Sequence, residues 1–103
     1  MLTKSQIRYL KSCAHSLSNS VIIGANGLTM AVHKEIDREL SSHELIKIKL
    51  PAIENEEQRE LIKEISQYEQ AEFINQIGHI AIFYRKNNNP EFKTKSKYIL
   101  PKD

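Results

Sequence analysis

Residues 21–29 hold the residue types and spacing in this chain that most suggest chemistry. The segment reads Val-Ile-Ile-Gly-Ala-Asn-Gly-Leu-Thr, an apolar β-branched run followed by two glycines three residues apart. Gly24 and Gly27 leave the peptide groups between them open to an approaching ligand, and Thr29 is a typical N-cap for a following helix. Free N–H groups at the positive end of a helix dipole suit a phosphate.

The spacing of the glycines limits which phosphate this loop would take. A nucleoside-triphosphate loop requires GxxxxGK followed by Ser or Thr, a dinucleotide loop requires GxGxxG, and the chain has neither. GxxG is the loop with which KH modules clamp a nucleic-acid backbone. The candidate binding residues here are Gly24, Ala25, Asn26, Gly27 and Thr29. Because ordinary strand-to-helix turns use the same residues, a purely structural turn stays open.

The net charge of +2 hides an uneven distribution. Residues 1–34 carry +4 and no acid, residues 35–84 carry −6, and residues 85–103 carry +4. If the two basic ends meet in space, they form a surface that binds a polyanion.

A basic stripe is predicted on the first helix, opposite its apolar face. Its members are Lys4, Arg8, Lys11 and His15, which recur at helical spacing with no acid among them. Such a stripe is typical either of a solvated face or of a surface with an anionic partner. Arg85 and Lys86, which begin the second basic segment, are expected to extend the same track.

Other chemistries have little support in the sequence. Cys13 is the only cysteine, which excludes an intramolecular disulfide, and it is expected to be a small buried hydrophobe. The four histidines lack metal-ligand spacing, and no nucleophile-elbow motif surrounds any serine. We therefore expect no catalysis, no cofactor and no metal. No apolar run reaches membrane-spanning length, and a cytoplasmic protein without a membrane partner is expected.

Periodicity and turn residues predict seven elements in the order α-β-α-β-α-β-β. The predicted helices cover about 3–17, 29–42 and 55–70, and the predicted strands cover about 20–24, 44–50, 71–77 and 80–85. Thr3 and Gln6 predict a capping box, and Asn55 with Gln58 predicts a second cap. Leu61, Ile65 and Tyr68 form the predicted apolar stripe of the third helix.

These elements predict a single α/β (α+β) domain over residues 1–86 and a basic tail over 87–103. A β-α-β unit implies a parallel pair of strands, and Gly78-His79 suits a tight antiparallel hairpin. The sheet should therefore be mixed and four-stranded. The run Val21–Ile23 suits a strand that is covered on both faces. Tyr98, Ile99 and Leu100 are expected to anchor the tail.

Five segments in this order carry a family resemblance. They are Ala14-His15-x-Leu17, the loop segment 21–29, His43–Lys49, Gln76–Gly78 and Phe83–Arg85. Over about residues 2–86, and again at Ile99-Leu100-Pro101, the chain resembles the CRM domain family (chloroplast RNA splicing and ribosome maturation). It is most similar to the stand-alone bacterial YhbY-type members. It departs from their pattern at Asn19-Ser20, where the family commonly has a proline.

The resemblance implies an RNA-binding domain whose fold resembles the C-terminal domain of translation initiation factor three. It also implies association with precursors of the large ribosomal subunit. The family's GxxG loop corresponds to Gly24–Gly27, and its basic first helix carries Lys4, Arg8, Lys11 and His15. We therefore expect a monomeric, non-enzymatic protein that binds ribosomal RNA rather than DNA.

Two other functions remain open. The strand–loop–helix unit could belong to a small-ligand domain that holds a free nucleotide or another anionic metabolite, although the lysine of a P-loop is absent. The acidic third helix could instead bind a protein partner, since seven of the thirteen acids lie between Glu54 and Glu72.

Overall fold

The computed structural model describes residues 2–86, 98 and 100–102. Its elements, in chain order, are α1 (Lys4–Ala14), β1 (Asn19–Ile22), α2 (Met30–His43), β2 (Leu45–Lys49), α3 (Asn55–Glu69), β3 (Glu72–Ile77) and β4 (Ile80–Tyr84). The predicted order of three helices and four strands is confirmed. Most of the predicted tail, residues 87–97, 99 and 103, lies outside the described residues.

The four strands form one mixed sheet in the order β1-β2-β4-β3. β1 and β2 run parallel, whereas β4 is antiparallel to both β2 and β3. Gly78 has a φ of +58°, which a hairpin turn between β3 and β4 requires and which glycine adopts without strain. The predicted mixed sheet and its final hairpin are therefore confirmed.

The helices cover both faces of the sheet. α2 and α3 pack on one face, where the core contains Ile36, Leu40, Ile46, Ile48, Ile65 and Phe83. α1 packs on the other face through Leu10 and Ala14, against Leu45, Ile74, Ile82 and Tyr84. Tyr98 and Leu100 pack on this second cluster as predicted, and the Gln6 side chain donates to the Pro101 carbonyl oxygen at 3.1 Å.

Two helix starts follow the local sequence. The Thr3 hydroxyl accepts from the Gln6 N–H at 3.2 Å, and the Gln6 amide oxygen accepts from the Thr3 N–H at 2.9 Å, which is the predicted capping box. The Thr29 hydroxyl accepts from the Val32 N–H at 3.2 Å and caps α2. Because these signals depend only on neighbours along the chain, the sequence could predict them.

The expectation that β1 is covered on both faces is wrong. Val21 and Ile23 are buried, but Ile22 is 65% exposed. In the part of the chain that the structure describes, β1 is an edge strand and pairs with β2 alone. The three β-branched residues could not reveal which strand would be the edge.

The predicted start of α3 at about residue 55 is confirmed, but its predicted cap is wrong, and of its predicted apolar stripe only Ile65 is buried. Its N-cap is Glu54, which makes no side-chain capping bond. Gln58 is instead buried, and its amide donates to the Pro51 carbonyl oxygen at 2.9 Å and lies 2.8 Å from His79 Nδ1. The helix turns Ile62 and Ile65 inward, and the side chain of Tyr68, predicted to be in the stripe, is 54% exposed.

Candidate nucleic-acid interface

The glycine loop forms a tight turn between β1 and α2. Ile23 continues the β1 pairing by donating its N–H to the Lys49 carbonyl oxygen at 2.9 Å. The Gly27 N–H then donates to the Gly24 carbonyl oxygen at 3.1 Å and closes a four-residue turn. Gly24, Ala25 and Asn26 are exposed. The loop therefore projects from the sheet with its backbone accessible to solvent.

The two glycines have different structural roles. Gly27 has a φ of +70°, a conformation that residues with a side chain rarely adopt. Gly24 has no positive φ, and an added Cβ would meet no heavy atom within 4 Å. Backbone conformation thus explains the glycine at position 27, whereas neither backbone conformation nor internal packing explains the glycine at position 24. The open space beside Gly24 leaves its peptide groups accessible to a ligand from outside.

The start of α2 favours an anion beside this loop. Its first turn carries no acidic side chain, and Thr29 caps it. Unpaired N–H groups and the helix dipole together give the N-terminus about half a positive charge. A phosphate that contacts the loop would therefore also meet the positive end of α2.

The basic stripe of α1 is on the surface as predicted. Lys4, Arg8, Lys11 and His15 are exposed, and α1 has no acid in its first turn. Among the described residues, none of the ion pairs involves these four side chains. Their charges are therefore available to a partner.

The structure places His15, the last member of the stripe, and the loop at opposite ends of β1. His15 precedes β1 at one end, and Gly24 follows it at the other. A strand of four residues spans about 13 Å. α1 also lies on the sheet face opposite to α2. A ligand that contacts both His15 and the loop must therefore extend alongside the sheet.

Lys49 is a further cation at the loop end of β1, and the sequence reasoning assigned it no role. It is exposed and pairs in register with Ile22, the last residue of β1. Because side chains alternate along a strand and Leu45 packs against α1, Lys49 lies on the α1 side of the sheet. Its position on a strand was predictable, but its proximity to the loop follows only from the β1–β2 register.

Arg85, predicted to extend the basic track, has its donors bound within the protein. Its guanidinium donates to the carbonyl oxygens of Glu69 and Asp37 and to the Ser41 hydroxyl, each at 3.0 Å. It also lies 2.9 Å from a carboxylate oxygen of Asp37. Arg85 thereby connects the end of β4 to both α2 and α3. Lys86 is exposed, in keeping with the predicted track.

A buried ionisable cluster lies beside Arg85. His33 Nδ1 is 3.1 Å from Glu69 Oε1, and both side chains are buried. Burial raises the pKa of the Glu69 carboxyl above its ordinary value of 4.5, against the opposing effect of the His33 hydrogen bond and the Arg85 charge. The sequence reasoning missed this cluster because 36 residues separate its histidine from its glutamate.

The described residues contain no group of three or more side chains suited to a metal ion. They also contain no helix that is long and apolar enough to cross a membrane.

The sequence profile of the CRS1/YhbY (CRM) domain matches residues 2–85, nearly all of the described fold. The chain belongs to this CRM family. The predicted resemblance is thereby confirmed, and the match includes the α1 stripe, the glycine loop and Arg85.

Relatives of this CRM domain have names that refer to RNA. A protein of Pseudomonas aeruginosa named as a probable RNA-binding protein is 39% identical over 89 residues, 86% of each chain. An RNA-binding protein of Haemophilus influenzae is 35% identical over 96 residues, 93% of this chain and 97% of that protein. The solution structure of a hypothetical Staphylococcus aureus protein, described as a candidate RNA-binding protein, has 31% identity and a TM-score of 0.81. The superposition covers 98% of this chain and all of that one, and it confirms the fold class.

Proposed function

We propose that this CRM domain binds RNA by clamping its backbone. The exposed loop backbone at Gly24, Ala25 and Asn26 and the positive end of α2 hold one phosphate. Gly27 closes the turn with its N–H, and Thr29 fixes the helix start. The observation that carries this proposal is the exposed glycine at position 24, which neither a positive φ nor an internal contact explains. The names of the relatives support RNA as the polyanion.

Cations extend this contact along the sheet. Lys49 follows the loop across the β1–β2 pair, and Lys4, Arg8, Lys11 and His15 continue the track on α1. Contacts of this kind position a nucleic acid without reading its sequence. Binding should therefore tolerate changes of base and depend strongly on salt.

The YhbY-type resemblance supports a finer proposal. The RNA is ribosomal, and the protein acts as a cytoplasmic monomer without catalytic activity in assembly of the large subunit. The loop and the start of α2 offer contacts to the RNA backbone only. A role in assembly would also require recognition of a defined site on the precursor of the large subunit. Co-sedimentation with subunit precursors tests this finer proposal separately from RNA binding.

A loop variant with two acidic residues tests the clamp. Replacement of Ala25 and Asn26 by Asp should repel phosphate and weaken RNA binding at least tenfold, because each aspartate adds a negative charge at the contact. The matched control replaces both residues by Ser, which is small and polar but adds no charge. RNA affinity and a thermal melt are measured together. Unchanged affinity in a folded Asp variant would show that the loop is only a turn.

A competition experiment with free nucleotides tests the alternative that the domain binds a small anionic ligand. Free nucleotides at millimolar concentration should not displace bound RNA, because an extended track of cations holds the polymer and one loop holds a single phosphate. Displacement of RNA by free nucleotides would favour a domain for a small anionic ligand.

A further inference from the structure

A cavity of about 400 Å³ lies between the start of α2 and the end of α3. Met30 and Lys34 contribute to it from α2, and Tyr68 and Gln70 contribute from the end of α3 and the residue after it. Met30 is 61% exposed and Tyr68 is 54% exposed, so an apolar and aromatic surface remains open to solvent. The proposed contacts with the RNA backbone do not use this surface.

Tyr68 has the geometry of a stacking platform. Its ring stacks on the His33 ring, with the centroids 3.9 Å apart and the planes 27° from parallel. His33 is buried and held by Glu69, so the face of Tyr68 that it covers is firmly supported. The Tyr68 hydroxyl lies 3.5 Å from Met30 Sδ, which fixes the ring along the first turn of α2.

This platform lies close to the glycine loop. Met30 is the first residue of α2 and follows Gly27 by three residues, a separation of at most about 11 Å along the chain. A nucleotide whose phosphate lies on the loop can therefore direct its base toward Tyr68.

The charges of the cavity favour a base over a phosphate. The carboxylates of Asp37 and Glu69 line it together with Arg85, and Arg85 already pairs with both. A phosphate would meet these carboxylates unfavourably, whereas a planar uncharged ring would not. Lys34, exposed at the rim, can neutralise an adjoining phosphate.

We propose that this cavity takes one unpaired nucleobase, stacked on Tyr68, from the RNA strand whose phosphate lies on the Gly24–Gly27 loop. The inference rests on the proposed RNA binding and adds that the domain engages a single-stranded segment. Base stacking on an aromatic side chain tolerates all four bases, so this contact selects unpaired RNA without selecting a sequence.

Three variants and two RNAs test the proposal. Tyr68→Leu should weaken binding of a single-stranded oligonucleotide roughly tenfold, and Tyr68→Phe should retain most of the affinity. Phe73→Leu is the matched control, since Phe73 is also a part-exposed aromatic, 40% exposed and packed against Phe83 on β4. Binding of a perfect RNA duplex should change little in any variant, because its bases are paired. A thermal melt of each variant confirms that it is folded.

The outcomes separate this inference from the proposed function. A folded Tyr68→Leu variant that binds single strands like the wild type overturns the stacking site but leaves the backbone clamp intact. Equal losses for single strand and duplex also overturn it, since Tyr68 would then act only by supporting the loop. Absence of RNA binding by the wild-type protein overturns both proposals.

Discussion

Gly24 and Gly27 illustrate how one motif combines two physical demands. The turn requires glycine at position 27 because the φ there is +70°. The proposed ligand requires glycine at position 24 because a side chain there would hinder its approach. The sequence could predict the pair and its phosphate chemistry. The sequence could not assign these different roles, because the residue type reveals neither the φ of each glycine nor what surrounds it.

Single alanine substitutions should separate the two roles. Gly27→Ala places a side chain in the left-handed region and should lower the free energy of unfolding by about 1 kcal/mol. Gly24→Ala meets open space, so the stability should be kept while RNA affinity falls roughly tenfold through the lost phosphate approach. Urea unfolding and RNA titration of both variants measure this. Equal behaviour of the two variants would contradict the assignment.

The buried carboxyl of Glu69 should make stability depend on pH. Its pKa is raised in the folded protein, with burial as the largest cause, so the folded state binds its proton more tightly than the unfolded state. Below the ordinary value of 4.5 both states are protonated, and this contribution is fully present. As the pH rises through the folded pKa, the contribution is lost and the free energy of unfolding falls.

Glu69→Gln provides the reference for this effect, because the amide cannot titrate. The difference in unfolding free energy between wild type and variant should decline as the pH rises above 4.5 and become constant above the folded pKa. Urea titrations from pH 4 to pH 8 measure it. A difference that rises with pH over this window would mean that the His33 and Arg85 interactions outweigh burial.

At the scale of elements, the proposed interface draws on two helices that lie on opposite faces of the sheet: α1 with its basic stripe and α2 with its N-terminus beside the loop. The stripe on α1 was predictable because helical spacing is a property of neighbouring residues. Its separation from the loop was not predictable, since it depends on which face each helix covers. The exposure of Tyr68 was missed for a similar reason: α3 directs Gln58, Ile62 and Ile65 inward, which turns Tyr68 toward α2.

Removing the charge of α1 should change the salt dependence of RNA binding. Replacement of Lys4, Arg8 and Lys11 by Ala should weaken binding and reduce the slope of log K against log salt by about 2 to 3, if each contacts one phosphate. Arg38, Arg59 and Lys63 are exposed on α2 and α3, and their triple Ala variant matches the change in net charge. An identical slope in the α1 variant and the wild type would exclude the stripe from the interface.

At the scale of the whole molecule, the proposed function places the protein on ribosomal particles. It should co-sediment with large-subunit precursors at low salt and leave them at high salt, because phosphate contacts are weakened by counterions. Gradients of cell lysate after gentle crosslinking measure this, with the double-Asp loop variant as the matched control. Recovery of the wild-type protein only among free proteins would argue against a role in assembly, while RNA binding in vitro could still hold.

The strand order has a consequence for how the chain can be shortened. Among the described residues, β4 is the last strand along the chain, but it is an inner strand of the sheet, between β2 and β3. A chain that ends before β4 would therefore not merely lack an edge strand. It would leave β3 without its neighbour and would also lack Arg85, which joins α2 to α3. During synthesis, residue 85 must leave the ribosome before the sheet can form completely and before Arg85 can join α2 to α3. A nascent chain stopped before that point has the glycine loop but lacks the framework that holds it.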